Sequence, residues 1–213
     1  MAMFRQGVIP SAHAPHLPPP ATGLYAMGMV SLDRSDWTVA QLHELPDDGN
    51  RYEIIDGVLY VTPSPRAVHQ LILVELLCLL RPYAKSVGLG VLLSPADIRF
   101  SDRTLVQPDL FAFDAPASFA NFSYTDITHL DLAVEVLSPS TAHVDQRNKR
   151  PLYQKHGVSE YWMVDVDQRA VERWGPQSAD GERVTDVLSW RPRPEFAPLL
   201  IDLPSLFREV LGS

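Results

Sequence analysis

Leu132-Ala133-Val134-Glu135-Val136-Leu137 is an apolar run interrupted once, by a carboxylate. Its length and its lack of polar alternation predict a strand buried on both faces of a sheet. A lone ionised carboxylate is costly there, and the cost is borne only where a cation or strong donors meet it. Something positive is therefore expected opposite Glu135. The alternative is an edge strand with Glu135 turned to water. Ser138-Pro139-Ser140-Thr141 ends the run and reads as a helix N-cap in preference to a set of catalytic hydroxyls. A helical segment then runs to His156-Gly157.

Outward from this run, Glu160 to Val166 reads as a further strand with Tyr161-Trp162 as core packing, the indole N–H seeking one partner. Upstream, Val91 to Phe100, breakable at Ser94-Pro95, and Leu105 to Phe113 read as two strands with a turn near Ser101 to Arg103. Asp109 follows Pro108 and shares a strand face with Phe111 and Phe113. If the strands from Leu105 and Leu132 are neighbours, Asp109 and Glu135 converge and can hold a hard divalent cation through oxygen. A plain Pro-Asp turn is the alternative. Ala67 to Lys85 reads as a long helix, apolar on most sides and so expected to be buried, with Ser64 as N-cap and Pro65 at its first position. Before it, Tyr52 to Asp56 and Val58 to Thr62 form a hairpin around Asp56-Gly57 and carry Glu53. Val39, Leu42 and Leu45 mark a short helix over Thr38 to Leu45. Past Val166, strands are expected around Val171 to Trp174 and Val184 to Trp190, then a short helix near Leu206 to Val210.

The 213 residues, 46% hydrophobic and 21% charged, suffice for the core of one ordinary domain. The first 35 residues hold Pro10, Pro15, Pro18, Pro19 and Pro20 without periodicity and read as a flexible tail, leaving 36–213 as a single domain. His13 and His16 fall in that tail, and Met27 and Met29 are alternative starts to Met1. The apolar stretch Leu71 to Leu80 contains Glu75 and is shorter than the roughly 20 residues of a bilayer span, so no membrane association is expected. A single cysteine, Cys78, fits a reducing, cytoplasmic setting. A net charge of −8 argues against a broadly basic nucleic-acid-coating surface. Any phosphate-handling patch must be local, and between His143 and His156 it has a candidate: Arg147, Lys149, Arg150 and Lys155 oppose Asp145 alone. Of 18 basic residues only Lys85, Lys149 and Lys155 are lysine. Lysine is a compact point charge that can orient or deprotonate water beside a phosphate, which makes Lys149, on the segment returning over the Glu135 strand, the third candidate.

Pro108-Asp109 and Glu135-Val136-Leu137, set in an order of helix, three strands, helix, strand, resemble the PD-(D/E)XK superfamily. The closer resemblance is to the Uma family of bacterial endonucleases. It is carried by Arg51-Tyr52-Glu53-Ile54-Ile55-Asp56-Gly57, Ser64-Pro65 with His69, Gln107-Pro108-Asp109-Leu110, Val134 to Thr141, Asp145, Lys149, Tyr153 and Gly157 to Asp165. The resemblance implies an α/β restriction endonuclease-like core with an N-terminal hairpin and additional C-terminal strands. It implies hydrolysis of phosphodiester bonds in nucleic acid, DNA above all, with Mg²⁺ or Mn²⁺ held by Asp109, Glu135 and Glu53. Lys149 would position or activate water, and His69 would orient a ligand or contact phosphate, beside Arg147 and Arg150 of the basic patch. Cutting both strands of a duplex would favour a homodimer. The lysine expected two residues after Glu135 is replaced by Leu137, its role passing to Lys149. Pro151 makes the helix either start near Asn148 or kink around Arg147. The competing reading is a catalytically inactive nuclease-fold module that binds DNA or protein.

Overall fold

Two sheets meet where the chain passes Gln107-Pro108-Asp109, and that crossing organises the molecule. The computed structural model describes residues 30–31, 35–62, 64–138 and 142–212; the proline-rich stretch 1–29, with both histidines and alternative starts, lies outside the described residues, as does most of the cap at 139–141. The chain begins with β1 (Val30–Ser31), α1 (Val39–Leu42), β2 (Arg51–Ile55) and β3 (Val58–Thr62). Thr38 and Gln41 form a capping box on α1, which is shorter than the spacing of its leucines suggests because Leu45 precedes Pro46 and is pushed out of helical conformation. Asp56 and Gly57 both take positive φ, 49° and 87°, as the two-residue turn of the hairpin requires.

Helix α2 (Ala67–Ser86) starts at the expected residue but not with the expected cap. Its N-cap is Arg66, which makes no side-chain cap bond, while the Ser64 hydroxyl donates to the Gly49 carbonyl instead. Nor is α2 buried all round. Ile72, Leu73, Leu76, Leu80 and Ala84 enter the core, but Leu71, Val74 and Leu79 are 52%, 47% and 41% exposed, because the sheet covers one flank of the helix only. By length and composition α2 could cross a membrane; in this fold its inner face packs on the sheet.

After α2 come β4 (Leu89–Leu93), β5 (Ile98–Ser101), β6 (Thr104–Val106), β7 (Leu110–Asp114) and β8 (Leu132–Val136). Then α3 (Ala142–Val144), a π-helical turn over Asp145–Lys149 and α4 (Arg150–Lys155) return the chain to β9 (Tyr161–Asp165). The last elements are β10 (Ala170–Trp174), β11 (Glu182–Val184), β12 (Val187–Trp190), β13 (Leu199–Asp202) and α5 (Leu203–Leu211). Three expected strands are thus each divided. Ser94-Pro95 separates β4 from β5, residues 185–186 separate β11 from β12, and Gln107-Pro108-Asp109 separates β6 from β7; β13 was not anticipated. At the third break Pro108 has no N–H for a ladder, and the chain leaves one sheet for another.

The central sheet has the order β11-β10-β9-β8-β7-β4, with β8 and β9 parallel and the other neighbours antiparallel. A parallel pair needs a crossover, which α3, the π turn and α4 supply. Together α2, β4, β7, β8, this crossover and β9 reproduce the order helix, three strands, helix, strand in a mixed α/β fold. The second sheet, β1-β3-β2-β6-β5, packs beneath it. Alternation along β7, β8 and β9 divides the core. Leu110, Ala112, Val134, Val136, Trp162 and Val164 face α2, α5 and the β12–β13 ribbon, while Phe111, Phe113, Ala133, Tyr161 and Met163 face the second sheet and α4. Trp162 donates its indole N–H to Glu160 at 2.6 Å, meeting the expected need for a partner.

Candidate active site

The carboxylates gather between the two sheets. Glu135 sits between Ala133 and Leu137, on the β8 face turned to the second sheet, and Asp109 has the same parity as Phe111 and Phe113. The β7–β8 register, Leu110 opposite Val134 and Phe111 opposite Ala133, carries Asp109 to the level of Glu135. There the Asp109 side chain replaces the lost ladder, accepting the Val136 N–H at Oδ2 over 2.9 Å. Glu53 is two residues from Ile55, which belongs to the same inner cluster, and its Oε1 accepts the Gln107 N–H at 2.7 Å. Thus the same crossing segment, Gln107 to Asp109, anchors one acid and supplies another.

The predicted positive partner of Glu135 is Lys149. Its Nζ lies 2.9 Å from Glu135 Oε1, 2.9 Å from Glu53 Oε2 and 3.7 Å from Asp145 Oδ1, and the side chain is wholly buried. Pro151 does not move the helix start to Asn148: the crossover begins at Ala142 and its α-helix is interrupted around Arg147 by the π turn. The π turn accommodates the proline, with the Arg150 N–H donating five residues back to Asp145, and this wider turn directs Lys149 inward. Tyr153, wholly buried on α4, donates its hydroxyl to Glu135 at 3.0 Å. Arg51 Nη1 pairs with Asp109 Oδ1 at 2.6 Å, and its Nε lies 3.9 Å from Glu53. His69 Nε2 hydrogen bonds to Asp109 Oδ2 at 2.9 Å.

Burial and charge act in opposition here. Burial alone would raise the Asp109 carboxyl, but Arg51 and the His69 hydrogen bond outweigh it and hold Asp109 well below the usual carboxylate range. Glu135 is pushed up, first by burial and then by Asp109, Asp145 and Glu53, against the attraction of Lys149. Burial would lower Lys149, yet Glu135, Glu53 and Asp145 hold its ammonium charged. A lysine with a lowered pKa, able to take a proton from water, is not what these acidic neighbours provide.

The basic patch read from the sequence does not form one face. Lys149 points into the acids and Arg150 stacks on Trp174 at 4.5 Å, leaving Arg147 and Lys155 exposed, the latter 3.6 Å from Asp56. Successive helical residues point in different directions, so charge density along the chain is not charge density on a surface. His69, expected as a ligand-orienting or phosphate-contacting residue, is engaged by Asp109. Arg51, Asp145 and Tyr153 belong to the cluster without having been assigned a role from sequence. The available signals were alternation, which puts Arg51 on the Glu53 face, and the four-residue spacing of Asp145 and Lys149.

Oxygen donors without thiolate suit a hard divalent cation. Four carboxyl groups outnumber the two permanent cations Arg51 and Lys149 among the described residues. By donor type and charge, Asp109, Glu135 and Glu53 fit such an ion. As they stand, no three metal-ligating side chains among the described residues converge on one point, and both Asp109 oxygens are engaged.

The sequence model of the Uma2 family, described as "Putative restriction endonuclease", matches residues 39–203. The chain belongs to the Uma2 family. Uma2 membership makes it a nuclease by class, with nucleic acid as the substrate class, and restriction endonuclease-like proteins generally use divalent metals. Among solved structures, a crystal structure titled "a putative nuclease belonging to DUF820", from Anabaena variabilis ATCC 29413, shares the fold with a TM-score of 0.66 at 22% identity. The alignment covers 82% of this chain and 99% of that one. No curated protein matches the chain. The Uma2 match spans every acid of the cluster together with Arg51, His69 and Lys149.

Proposed function

We propose that this chain is a Mg²⁺- or Mn²⁺-dependent endonuclease that hydrolyses phosphodiester bonds in DNA. One observation carries the reading: Glu53, Asp109 and Glu135, from β2, the sheet crossing and β8, are buried together around Lys149 and Arg51, with more acids than permanent cations. Burying carboxylates beyond the number of cations is costly, and a site that receives a divalent ion accounts for it. Asp109, Glu135 and Glu53 are the residues that would hold the ion. When bound, such a cation neutralises charge building on phosphate oxygens and acidifies water.

Lys149 ties Glu53 to Glu135 and so keeps two of the three acids at a fixed separation. Held charged, its ammonium orients the attacking water by donating to it and does not accept its proton. Tyr153 fixes the rotamer of Glu135 through its hydroxyl, and the Val136 N–H does the same for Asp109. A homodimer in the cytoplasm is the assembly and setting we propose, since two sites are needed to cut both strands of a duplex.

The second reading, a non-catalytic DNA- or protein-binding module, is favoured by the occupied Asp109 oxygens and the net charge of −8. Incubation of purified protein with supercoiled plasmid and Mg²⁺ or Mn²⁺, beside Asp109→Ala, separates the two. Metal-dependent nicking by wild type alone is expected. Intact plasmid with both proteins would favour the binding module, and equal cutting by both would reveal a contaminant.

A further inference from the structure

Of the two permanent cations in the cluster, Arg51 alone reaches solvent. Its side chain is 20% exposed, against 0% for Lys149, which three carboxylates enclose within 3.7 Å. Its hold is lopsided. Nη1 pairs with Asp109 Oδ1 at 2.6 Å, while Nε is buried without a hydrogen-bond partner, 3.9 Å from Glu53 Oε2. Asp109 in turn does not depend on Arg51 for its orientation, because Oδ2 is anchored by the Val136 N–H and by His69, both at 2.9 Å. Withdrawal of the guanidinium would therefore expose Oδ1 of an oriented carboxylate and relieve Glu53 of a poorly aligned contact.

We propose that Arg51 occupies the cation position of the metal-free site and is displaced from Asp109 and Glu53 by the incoming divalent ion. This rests on the metal-dependent reading above. Arginine suits the role because it stays charged at any working pH, so the acids are never left bare, and its long stem lets the head swing toward solvent without moving β2. The cost is competition: metal affinity is reduced by the fraction of sites that Arg51 holds closed. The guanidinium, once released, stands at the exposed side of the cluster as a planar fork suited to a phosphate oxygen pair.

The test is Mn²⁺ binding without DNA. Calorimetric titration should show Arg51→Ala binding Mn²⁺ about ten-fold or more tightly than wild type, while its metal-free form melts at a lower temperature. Should Arg51→Ala fail to fold, wild-type protein still decides the matter. The Arg51 Nε–Hε resonance, assigned with Arg51→Lys, should shift during titration with diamagnetic Mg²⁺. Metal binding with that resonance unmoved, or with equal or weaker affinity in Arg51→Ala, would overturn the proposal and leave the nuclease reading standing. A wild-type protein that binds neither ion would sink both.

Discussion

Lys149 is wholly buried and serves three carboxyl groups, so its removal would leave Glu53 and Glu135 without the ammonium that both of them pair with. Breaking a buried pair from one side costs about 3–5 kcal/mol. Lys149→Met is therefore expected to lower stability on that scale in denaturant titration, and to abolish metal-dependent nicking even where the protein remains folded. Glu135 makes a pH prediction. Burial and its acidic neighbours raise its pKa, so the folded state keeps a proton that the unfolded chain has already released. Its contribution to stability is then greatest at low pH and falls as pH rises through the folded value. A cation that must displace this proton gains affinity over the same range. Mn²⁺ is expected to bind more tightly at about pH 8 than at about pH 6, with proton release visible as a dependence of the binding heat on buffer ionisation. Constant affinity would mean that Glu135 is already ionised or is not a ligand.

At the scale of elements, the β2–β3 hairpin places Glu53, and its turn has little tolerance. Gly57 has φ of 87°, and a Cβ there would come within 2.5 Å of the Ser35 carbonyl oxygen and 2.4 Å of the Arg103 guanidinium. The guanidinium can move, but the backbone oxygen cannot do so cheaply. Gly57→Ala should destabilise by more than about 1 kcal/mol, read as a lowered denaturant midpoint. The hairpin was legible because Asp-Gly between β-prone runs has few alternatives. The division of Leu105 to Phe113 was not, because continuous apolar character looks alike whether one sheet or two will bury it. Pro108 was visible in the sequence, but only the packing shows the chain using it to change sheets. The end of the crossover helix at His156-Gly157 was likewise readable, whereas its start was not, and the π turn that aims Lys149 depends on the pull of buried acids on both sides.

At the scale of the molecule, Trp190 joins the β12–β13 ribbon to the main core by packing on Tyr83 of α2 and Trp162 of β9 at centroid separations of 5.7 and 6.2 Å. It is fully buried. Trp190→Ala should cost about 3–5 kcal/mol by thermal or denaturant unfolding, even though the site acids lie on the opposite face of the sheet. The overall charge of −8 and the scattering of the crossover cations leave few phosphate contacts for duplex DNA. Binding measured between about 50 and 200 mM salt should show a shallow log–log slope, of magnitude below about 3. A steep slope would point to a basic face built by association of chains.

Sequence alone determined the α/β class, the order helix, three strands, helix, strand, and five members of the cluster, Glu53, His69, Asp109, Glu135 and Lys149, while leaving Arg51, Asp145 and Tyr153 without a role. Periodicity, turn chemistry and the expense of burying Glu135 are local properties, and they are written in consecutive residues. Only the tertiary structure decided that Lys149 is an enclosed ammonium, that Arg150 belongs to Trp174, and that Arg51 stands against Asp109. Those partners come from distant stretches of chain. Which cation meets which acid is settled by how two sheets and a helix share one interior, since charges out of water must be paired with whatever the packing brings within reach.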